Sequence, residues 1–356
     1  MSSAPRKRNK NLTIYDIAGR TGVSYQTVSR VLNGMPHVSP ATRERVQAVM
    51  QEVGFRPNMT ARQLAGQRST TVGLVTFATG FYGPAQIVAN CEQASKEMGL
   101  SFMFSGIVDQ TTPEIRRAVN ELCAHQVCGI LLYLPMDIDL RDLQEVCRNV
   151  PIVAVDSNLG CKCPTIYINQ ELGSRIATQH LIQCGHQKIA YLQGPPFWRA
   201  AELRFNGWLK ELNAAGLSPG PVITGNWTAE SGFETTQKLV AQHWGEYSAL
   251  VVANDQMALG AIRAFEESGI EIPRAISVVG FDDIPEAAFF RPPLSTIKQD
   301  FATLASSSVK CLMRQLNQNK AGRLQTIQPT FVGRQSTAAP NHRMIRPKRA
   351  AKIKKR

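Results

Sequence analysis

The stretch T-I-Y-D-I-A-G-R-T-G-V-S-Y-Q-T-V-S-R-V-L-N-G, residues 13–34, contains two short helical patterns separated by a glycine. Thr13, with Asp16 three residues later, is typical of a capping box at the start of a helix. Gly22 supplies the permissive backbone of a tight turn, and Ser24 is a suitable cap for the second helix. Two short helices joined by such a turn form a helix-turn-helix, so this stretch predicts DNA binding.

The second of these helices has a polar outer face. Gln26 and Arg30 are four residues apart, as are Tyr25 and Ser29, so the two pairs lie side by side. Glutamine offers a donor–acceptor fork to adenine and arginine a donor fork to guanine. An ordinary solvated helix face is the alternative, but the turn glycine, the caps and the inward apolar residues favour recognition of base edges; these apolar residues are Val28, Val31 and Leu32.

A third helical pattern completes a small domain. Asn33 and Gly34 end the second helix, Ser39 is a suitable cap for the third, and Pro40 fits its first turn. An apolar stripe follows, formed by Val46, Val49, Met50 and Val53. Residues 13–55 are therefore predicted to fold as a three-helix headpiece.

The charge of the chain is unevenly distributed. Residues 1–68 carry 11 Lys and Arg against 3 Asp and Glu, and residues 341–356 carry 8 basic residues and no acidic ones. The net charge of the whole chain is +13, so the middle is mildly acidic. A basic head on an acidic body indicates a nucleic-acid-binding protein whose affinity falls steeply with salt.

Other classes of protein and site are disfavoured by what the sequence lacks. The eight cysteines form no C-x-x-C pair, so we expect reduced thiols and no metal site. The first twelve residues are basic and polar, unlike a signal peptide, and no apolar run approaches the length of a membrane span. We therefore expect a cytoplasmic protein with no membrane partner.

From residue 70 onward, apolar strand patterns alternate with helical patterns. The strand patterns cover residues 71–77, 101–108, 129–134, 151–156, 188–194, 249–255 and 276–283. Runs such as G-I-L-L-Y-L and I-S-V-V-G-F are apolar throughout, as strands buried on both faces must be. This alternation predicts an α/β core of doubly wound parallel sheets, and about 270 residues suggest two lobes with a cleft between them.

Polar residues stand at the ends of several predicted strands. Asp156, Asn254 and Asp282 each follow an apolar run, and ligands of parallel sheets bind outside such carboxyl ends. Each residue alone could equally belong to a loop or a helix cap. Together with Arg204 and Trp227 they suit a polyhydroxylated ligand, because carboxylates and amides bind hydroxyls and an indole lies against the C–H face of a sugar.

Five motifs carry a resemblance to a known family. They are V-S-Y-Q-T-V-S-R-V (residues 23–31), Q-L-A-G (63–66), V-A-N-D-Q-M-A-L-G-A (252–261), I-S-V-V-G (276–280) and T-I-K-Q-D-F (296–301). The chain resembles the lactose-repressor/galactose-repressor (LacI/GalR-type) family of bacterial transcriptional regulators, most closely its lactose-repressor members. The similarity extends from about residue 12 to about residue 340, without the basic extension and the tail.

The resemblance implies a division of the chain. It gives a disordered basic extension (1–11), a helix-turn-helix domain (12–57), a hinge helix or linker (58–69), a sugar-binding and dimerisation core (70–337) and a disordered basic tail (338–356). It also assigns residues 70–168 and 298–328 to lobe 1, and residues 169–297 and 329–337 to lobe 2. Asn58 would cap the hinge helix and Leu64 would insert into the minor groove; a flexible linker is the alternative.

The resemblance also implies site residues. Tyr25, Gln26 and Arg30 would read bases, whereas the remaining DNA contacts would be Thr13, Ser24, Thr27, Ser29, Asn33 and His37, of which His37 could instead be a solvated turn residue. The sugar pocket would comprise Phe81, Pro84, Ile87, Tyr133, Asp156, Arg204, Trp227, Asn254, Asp282, Gln299 and Phe301. Tyr133, Ala200 and Ile168 replace the asparagine, serine and phenylalanine of the lactose-repressor members. A galactoside, the ligand class that the resemblance implies, remains the first expectation, and these departures make another mono- or disaccharide the alternative.

The function expected from these features is transcriptional repression. A homodimer would bind a near-palindromic double-stranded DNA operator and be released by a small sugar, with no cofactor. A tail without leucine heptads favours a dimer over a tetramer. A sugar-binding protein without a regulatory role is the alternative from another class. An enzyme is disfavoured because no nucleophile elbow, P-loop or G-x-G-x-x-G occurs and neighbours such as Asp282 and Asp283 diverge in direction.

Overall fold

The computed structural model describes residues 12–32, 34–55, 69–77, 79–109, 111–136, 150–159, 163–317 and 324–341. The chain divides into two compact units, residues 1–69 and 70–356. The predictions for Asn33, Asn58, Leu64, the hinge helix and the basic ends fall outside the described residues. Within the described ranges, no helix is both long and apolar enough to cross a lipid bilayer.

The first unit contains three helices, α1 (Ile14–Thr21), α2 (Tyr25–Leu32) and α3 (Pro40–Glu52). The capping box is present: the backbone N–H of Thr13 donates to Asp16 Oδ2 at 2.7 Å, and Asp16 N–H donates to Thr13 Oγ1. Gly22 has φ of 68°, in the left-handed region that favours glycine. The three helices enclose a core of Ile17, Val28, Val31 and Val46.

The second unit alternates strands and helices, as the sequence predicts. Its elements are, in chain order, β1 (Thr71–Phe77), α4 (Tyr82–Glu97), β2 (Ser101–Ile107), α5 (Thr112–Ala124), β3 (Gly129–Tyr133), β4 (Ile152–Val155), β5 (Thr165–Ile168), α6 (Gln170–Gln183), β6 (Ile189–Gln193), α7 (Arg199–Ala214), β7 (Val222–Thr224), α8 (Ala229–His243), β8 (Ala249–Val252), α9 (Asp255–Glu267), β9 (Ser277–Asp282), the 3₁₀ turn Pro285–Phe289, β10 (Ser295–Lys298), α10 (Phe301–Leu316), β11 (Leu324–Ile327) and β12 (Thr330–Val332).

These strands form two six-stranded sheets. The first has the order β11-β5-β4-β3-β1-β2 with parallel pairs throughout, and the second has the order β12-β10-β9-β8-β6-β7. Among the described strands of the second sheet, only β12 runs antiparallel, pairing Phe331 with Ile297 of β10. Strands β3, β4, β8 and β9 are buried at every position, because helices cover both faces of a doubly wound sheet. The expected α/β core of two doubly wound sheets is confirmed.

The chain passes between the two sheets at three places. It leaves the first sheet after β5, because the following helix α6 packs on β9, β10 and β12. It returns after β10, since α10 packs on α4 and β4, and it crosses again between β11 and β12. Residues 169, 299–300 and 328–329 therefore connect the lobes.

Candidate functional site

A cavity between the two lobes collects the polar and aromatic residues of the core. All eleven residues that the family resemblance places in a sugar pocket line this cavity: Phe81, Pro84, Ile87, Tyr133, Asp156, Arg204, Trp227, Asn254, Asp282, Gln299 and Phe301. They come from elements as far apart in sequence as α4 and α10. The fold therefore brings the predicted set together in one place.

Arg204 occupies the centre of the cavity. It projects from the second turn of α7 and is only 5% exposed. Its Nε donates to Gln170 Oε1 at 2.9 Å, its Nη1 donates to the Ala253 carbonyl, and its Nη2 lies 3.5 Å from Asp282 Oδ1. The guanidinium also stacks over the Phe281 ring, 3.8 Å from its centroid. These contacts hold the planar donor fork in a fixed orientation.

A chain of side-chain hydrogen bonds connects the two carboxylates of the cavity. Gln299 Nε2 donates to Asp282 Oδ1 at 2.6 Å, and Gln170 Nε2 donates to Gln299 Oε1 at 2.8 Å. Gln170 Nε2 also lies 3.1 Å from Asp156 Oδ2, whose partner oxygen accepts from Ile168 N–H at 3.0 Å. The polar groups are therefore paired with one another within the cleft.

Burial alters the acidity of both carboxyl groups. It raises the pKa of Asp282 to about 6, although Arg204 and the Gln299 hydrogen bond act in the opposite direction. Burial also raises the pKa of Asp156, against the hydrogen bond from Ile168 and the charge of Arg204. A ligand that donates hydrogen bonds to these oxygens favours their ionised forms.

Aromatic side chains form the walls of the cavity. Trp198 lies edge-to-face with Trp227 at 5.7 Å and with Phe81 at 5.5 Å, and Tyr82 meets Phe301 at 6.1 Å. The indole N–H of Trp227 is buried, and no described residue accepts a hydrogen bond from it. Because Phe81 and Trp227 belong to opposite lobes, the aromatic contacts extend across the cleft.

The backbone at three pocket residues adopts conformations that L side chains rarely take. The φ angles are 46° at Asp156, 76° at Trp227 and 115° at Asp282. Such conformations cost on the order of 1–3 kcal/mol each and cluster at ligand-binding sites. The three residues with strained backbones are thus residues whose side chains line the cavity.

Asn254 and Tyr133 are held firmly by their surroundings. Asn254 Oδ1 caps α9 by accepting from Met257 N–H at 3.0 Å, and its Nδ2 donates to the Trp227 carbonyl. Both the helix-cap role and the pocket position foreseen for Asn254 thus apply. Tyr133 ends β3 and is buried, and burial raises the pKa of its hydroxyl. Both residues line the cavity.

Asp282 and its neighbour Asp283 point to different partners, as their positions at a strand end predict. Asp283 pairs with Arg334 at 2.6 Å, outside the cavity, whereas Asp282 contacts Arg204 and Gln299. The two carboxylates therefore do not form an acid–base pair.

The headpiece presents the predicted face of α2 to solvent. Gln26 and Arg30 are exposed, and Tyr25 is 45% exposed, with its ring 5.2 Å from that of Tyr15. Ser24 Oγ accepts from Thr27 N–H at 3.1 Å and so caps the helix. The remaining predicted DNA contacts within the described residues are Thr13, which is exposed in the capping box, Ser29, which is half-buried, and His37, which is exposed with φ of 75°.

Comparison with known proteins identifies the family to which this architecture belongs. Residues 13–58 match the model of the "bacterial regulatory proteins, lacI family", and residues 178–337 match a periplasmic binding protein-like domain. The lactose operon repressor of Escherichia coli K12 is 40% identical over 96% of this chain and 95% of its own length. The chain belongs to the lacI family. It is accordingly a transcriptional regulator and not an enzyme, as the sequence predicts.

Other relatives agree with this placement. The transcriptional regulator GalR of Escherichia coli K12 is 30% identical over 92% of this chain and 96% of its own length. A lac repressor dimer bound to operator and the anti-inducer ONPF has a TM-score of 0.86 and 39% identity, covering 93% of this chain and 100% of that one. A complex of the regulator CelR with cellobiose has a TM-score of 0.66 and 29% identity, covering 91% of this chain and 99% of the other.

Four lining residues were missed by reasoning from the sequence: Tyr82, Gly83, Gln170 and Trp198. Trp198 follows β6 in the segment P-P-F-W, so the rule that ligands bind beyond strand ends could have found it. Gln170 lies two residues after β5, a short strand that was not recognised. Tyr82 adjoins the predicted Phe81 and carries no separate signal in the sequence.

Proposed function

We propose that this protein is a homodimeric repressor of a carbohydrate-utilisation operon, acting in the cytoplasm and released from a near-palindromic operator by a small sugar. A galactoside is the first candidate for that sugar. The observation that carries the proposal is the convergence of Arg204, Asp282 and Trp227 in one interlobe cavity on a chain with a helix-turn-helix headpiece. A sugar-binding protein without a regulatory role has no use for such a headpiece.

The proposed DNA contacts divide into two kinds. Tyr25, Gln26 and Arg30 on the exposed face of α2 read base edges in the major groove. The others contact phosphates from the headpiece or the operator centre from the hinge: Thr13, Ser24, Thr27, Ser29, Asn33, His37, Asn58 and Leu64, the last as a minor-groove wedge. A dimer places two copies of this surface on two half-sites.

The proposed domain limits follow the same scheme. The helix-turn-helix domain comprises residues 12–57 and the hinge residues 58–69, and the core comprises residues 70–337. Lobe 1 contains residues 70–168 and 298–328, and lobe 2 contains residues 169–297 and 329–337. Support comes from the strands of the two sheets, which divide between residues 71–168 with 324–327 and residues 189–298 with 330–332.

The pocket residues suit a sugar by their chemistry. Arg204 donates to two hydroxyls through its fork, Asp156 and Asp282 accept from hydroxyls, and Trp227 lies against the ring. The cavity has a volume of about 50 Å³, which holds only a few water molecules. A sugar must therefore displace some of the hydrogen bonds among Arg204, Gln170 and Gln299, and this exchange couples binding to the positions of the lobes.

The proposal is tested by fluorescence anisotropy of the full chain on a labelled symmetric operator, titrated with a sugar panel headed by a β-galactoside. We expect release by the galactoside. Arg204→Lys keeps the charge but lacks the fork, so it should retain operator affinity and lose release. Arg30→Ala should lose specific operator binding and retain sugar binding. Tight sugar binding that leaves operator affinity unchanged would contradict the proposal.

A different mono- or disaccharide is the second candidate for the effector. Tyr133 fills space beside Asp156, and Ala200 offers a methyl group and no hydroxyl to the ligand. A buried hydroxyl partner contributes on the order of 1–3 kcal/mol to recognition. Operator release by another sugar in the panel, without release by galactosides, would favour this candidate.

A further inference from the structure

Aromatic side chains of lobe 1 pack against the core of lobe 2. Phe77, at the end of β1, and Phe81, just before α4, are partly buried against that core. Both rings approach the indole of Trp198 in lobe 2, with centroid distances of 6.2 Å and 5.5 Å. These three residues are not part of the interlobe connections. They therefore join the lobes at a separate place, beside the cavity.

A hydrogen bond crosses between the lobes next to these rings. The backbone N–H of Arg199 donates to the carbonyl of Pro135 at 2.8 Å. Arg199 is the first residue of α7, and the first N–H groups of a helix must find acceptors outside it. Pro135 is buried and follows β3 in lobe 1. This bond between the two lobes can persist only while they remain together.

The segment G-P-P-F-W, residues 194–198, holds Trp198 in place on lobe 2. Its two prolines restrict the backbone, and the N–H of Trp198 donates to the Pro195 carbonyl at 3.0 Å. The indole lies edge-to-face with Trp227 at 5.7 Å. Trp198 is 6% exposed, whereas the adjacent Phe197 is 63% exposed. One aromatic side chain of the segment therefore packs inside the cleft and the other faces solvent.

The cavity beside these contacts is small while the lobes are joined. Its volume is about 50 Å³, whereas small-molecule sites occupy about 300–1,000 Å³. Phe81 and Trp198 both line it. Edge-to-face aromatic pairs stabilise a contact beyond the apolar area that they bury, so separating the lobes here costs free energy.

We propose that Trp198 forms an aromatic latch with Phe77 and Phe81, which holds the cleft closed and limits entry of the effector. When the rings separate, the hydrogen bond from Arg199 to Pro135 breaks and the latch is open. A sugar binds the open form, so the latch reduces the fraction of molecules that is competent to bind. The latch itself follows from the contacts between the lobes, and its effect on sugar entry rests on the proposed function.

Hydrogen exchange of the Arg199 amide measures opening of the latch without any ligand. This amide exchanges when its bond to Pro135 breaks. The amide of Glu202 donates to the Trp198 carbonyl at 3.1 Å within lobe 2, so its exchange reports local fraying of α7 instead. Both rates are measured on the full chain by mass spectrometry with fragmentation of the peptides.

Phe81→Ala tests the latch from the opposite lobe. Phe81 makes no capping hydrogen bond through its side chain, so the start of α4 keeps its backbone contacts. We expect exchange of Arg199 to become about tenfold faster, because one edge-to-face pair and its buried area are lost, and exchange of Glu202 to stay unchanged. Trp198→Ala should also accelerate Arg199, and Trp198→Phe, which keeps a ring, should recover part of the protection. Phe197→Ala removes the adjacent exposed ring and is the matched control, with wild-type rates expected.

Phe77→Leu connects the latch to sugar entry. Phe77 contacts Trp198 but is not among the residues that line the cavity, so the variant removes no direct contact with a sugar. The probe is methyl β-galactoside, followed by stopped-flow tryptophan fluorescence of the full chain. Its association rate should rise by the same factor as the exchange rate of Arg199, because both depend on the open fraction.

The outcomes separate the latch from the function on which its effect rests. Wild-type exchange of Arg199 in Phe81→Ala would overturn the latch and leave the sugar-responsive repressor intact. Equal acceleration of Arg199 and Glu202 would also overturn it, because the start of α7 would then fray locally. A constant association rate in Phe77→Leu, with faster exchange of Arg199, would overturn the control of entry. If no sugar of the panel binds, the proposed function fails, and the exchange rates still decide whether the latch exists.

Discussion

The buried carboxyl group of Asp282 makes the affinity of the cleft for a sugar depend on pH. Asp282 is 6% exposed, and burial raises its pKa to about 6. In the proposed complex, sugar hydroxyls donate to this group, and the ionised carboxylate accepts hydrogen bonds at both oxygens whereas the protonated form must itself donate one. Binding should therefore strengthen as the pH rises through 6.

The size of the effect follows from the pKa. If the sugar binds only the ionised form, the apparent dissociation constant is multiplied by one plus the ratio of protonated to ionised Asp282. For a pKa of about 6, this factor is about 11 at pH 5 and about 1.1 at pH 7. We expect a tenfold gain in affinity, about 1.4 kcal/mol, and Asp156 acts in the same direction because burial also raises its pKa.

The assay is a sugar titration of the full chain between about pH 5 and pH 7.5, followed by tryptophan fluorescence or calorimetry. Trp198 and Trp227 line the cavity, so their emission reports occupancy directly. Asp282→Asn removes the titrating group and should flatten most of the dependence on pH. Glu234→Gln, which neutralises an exposed carboxylate on α8, is the matched control and should keep the wild-type slope.

The reasoning about Asp282 would be refuted by either of two results. The first is a wild-type affinity that stays constant or falls as the pH rises from 5 to 7. The second is a variant Asp282→Asn that binds the sugar with the full wild-type dependence on pH. In both cases the sugar would not depend on the ionised carboxylate.

Four further predictions concern stability and DNA binding. Folding raises the pKa of Asp282 from 3.8 to about 6, so the contribution of this group to stability is largest below pH 3.8 and is lost as the pH rises through 6. The difference in Tm between the wild type and Asp282→Asn should therefore shrink between pH 3.8 and pH 6. Thr13→Ala removes the capping box and should cost about 1 kcal/mol, measured as faster amide exchange in α1. Gly260→Ala should lower the free energy of unfolding of the core, measured in urea, by about 3 kcal/mol, because an added Cβ overlaps the Ala229 carbonyl. Gly19→Ala is the contrasting variant: it has open space around it and should stabilise the headpiece by up to about 1 kcal/mol. Arg30→Ala should weaken operator binding by about tenfold or more and equalise affinities for guanine and other bases at one position, measured by anisotropy on substituted operators.

The sequence analysis predicts the strands with longer apolar runs and misses five short strands, β5, β7, β10, β11 and β12. Strands β3 and β9 are continuous apolar runs because both faces of the sheet are covered, and their positions agree with the predicted patterns to within one residue at each end. Strands β7 and β11 have no such run. Both lie at sheet edges and are largely exposed, so their short sequences V-I-T and L-Q-T-I carry little periodic signal.

The residues of the candidate site were likewise predictable only where the preceding strand was recognised in the sequence. Asp156 and Asp282 could be identified because each stands at the carboxyl end of a recognisable parallel strand, one in each sheet. Gln170 could not, because the strand before it was not recognised and because a single glutamine has no pattern of its own. The positive φ of Trp227 could not be predicted either, because tertiary packing imposes it. In a sequence, glycine is the residue that indicates such a backbone conformation.

The hydrogen bonds of Gln170 explain how the pocket is coupled to the lobes. Gln170 follows the first interlobe connection and donates to Gln299 in the second, while Asn169 N–H donates to Ile327 O at 2.9 Å next to the third. All three connections thus lie within one hydrogen-bonded cluster that ends at Arg204. A sugar that binds Arg204 and Asp282 competes for the same donors and acceptors that join the connections. Because a ligand shifts a conformational equilibrium only through contacts that differ between the states, these shared bonds are where such a difference arises.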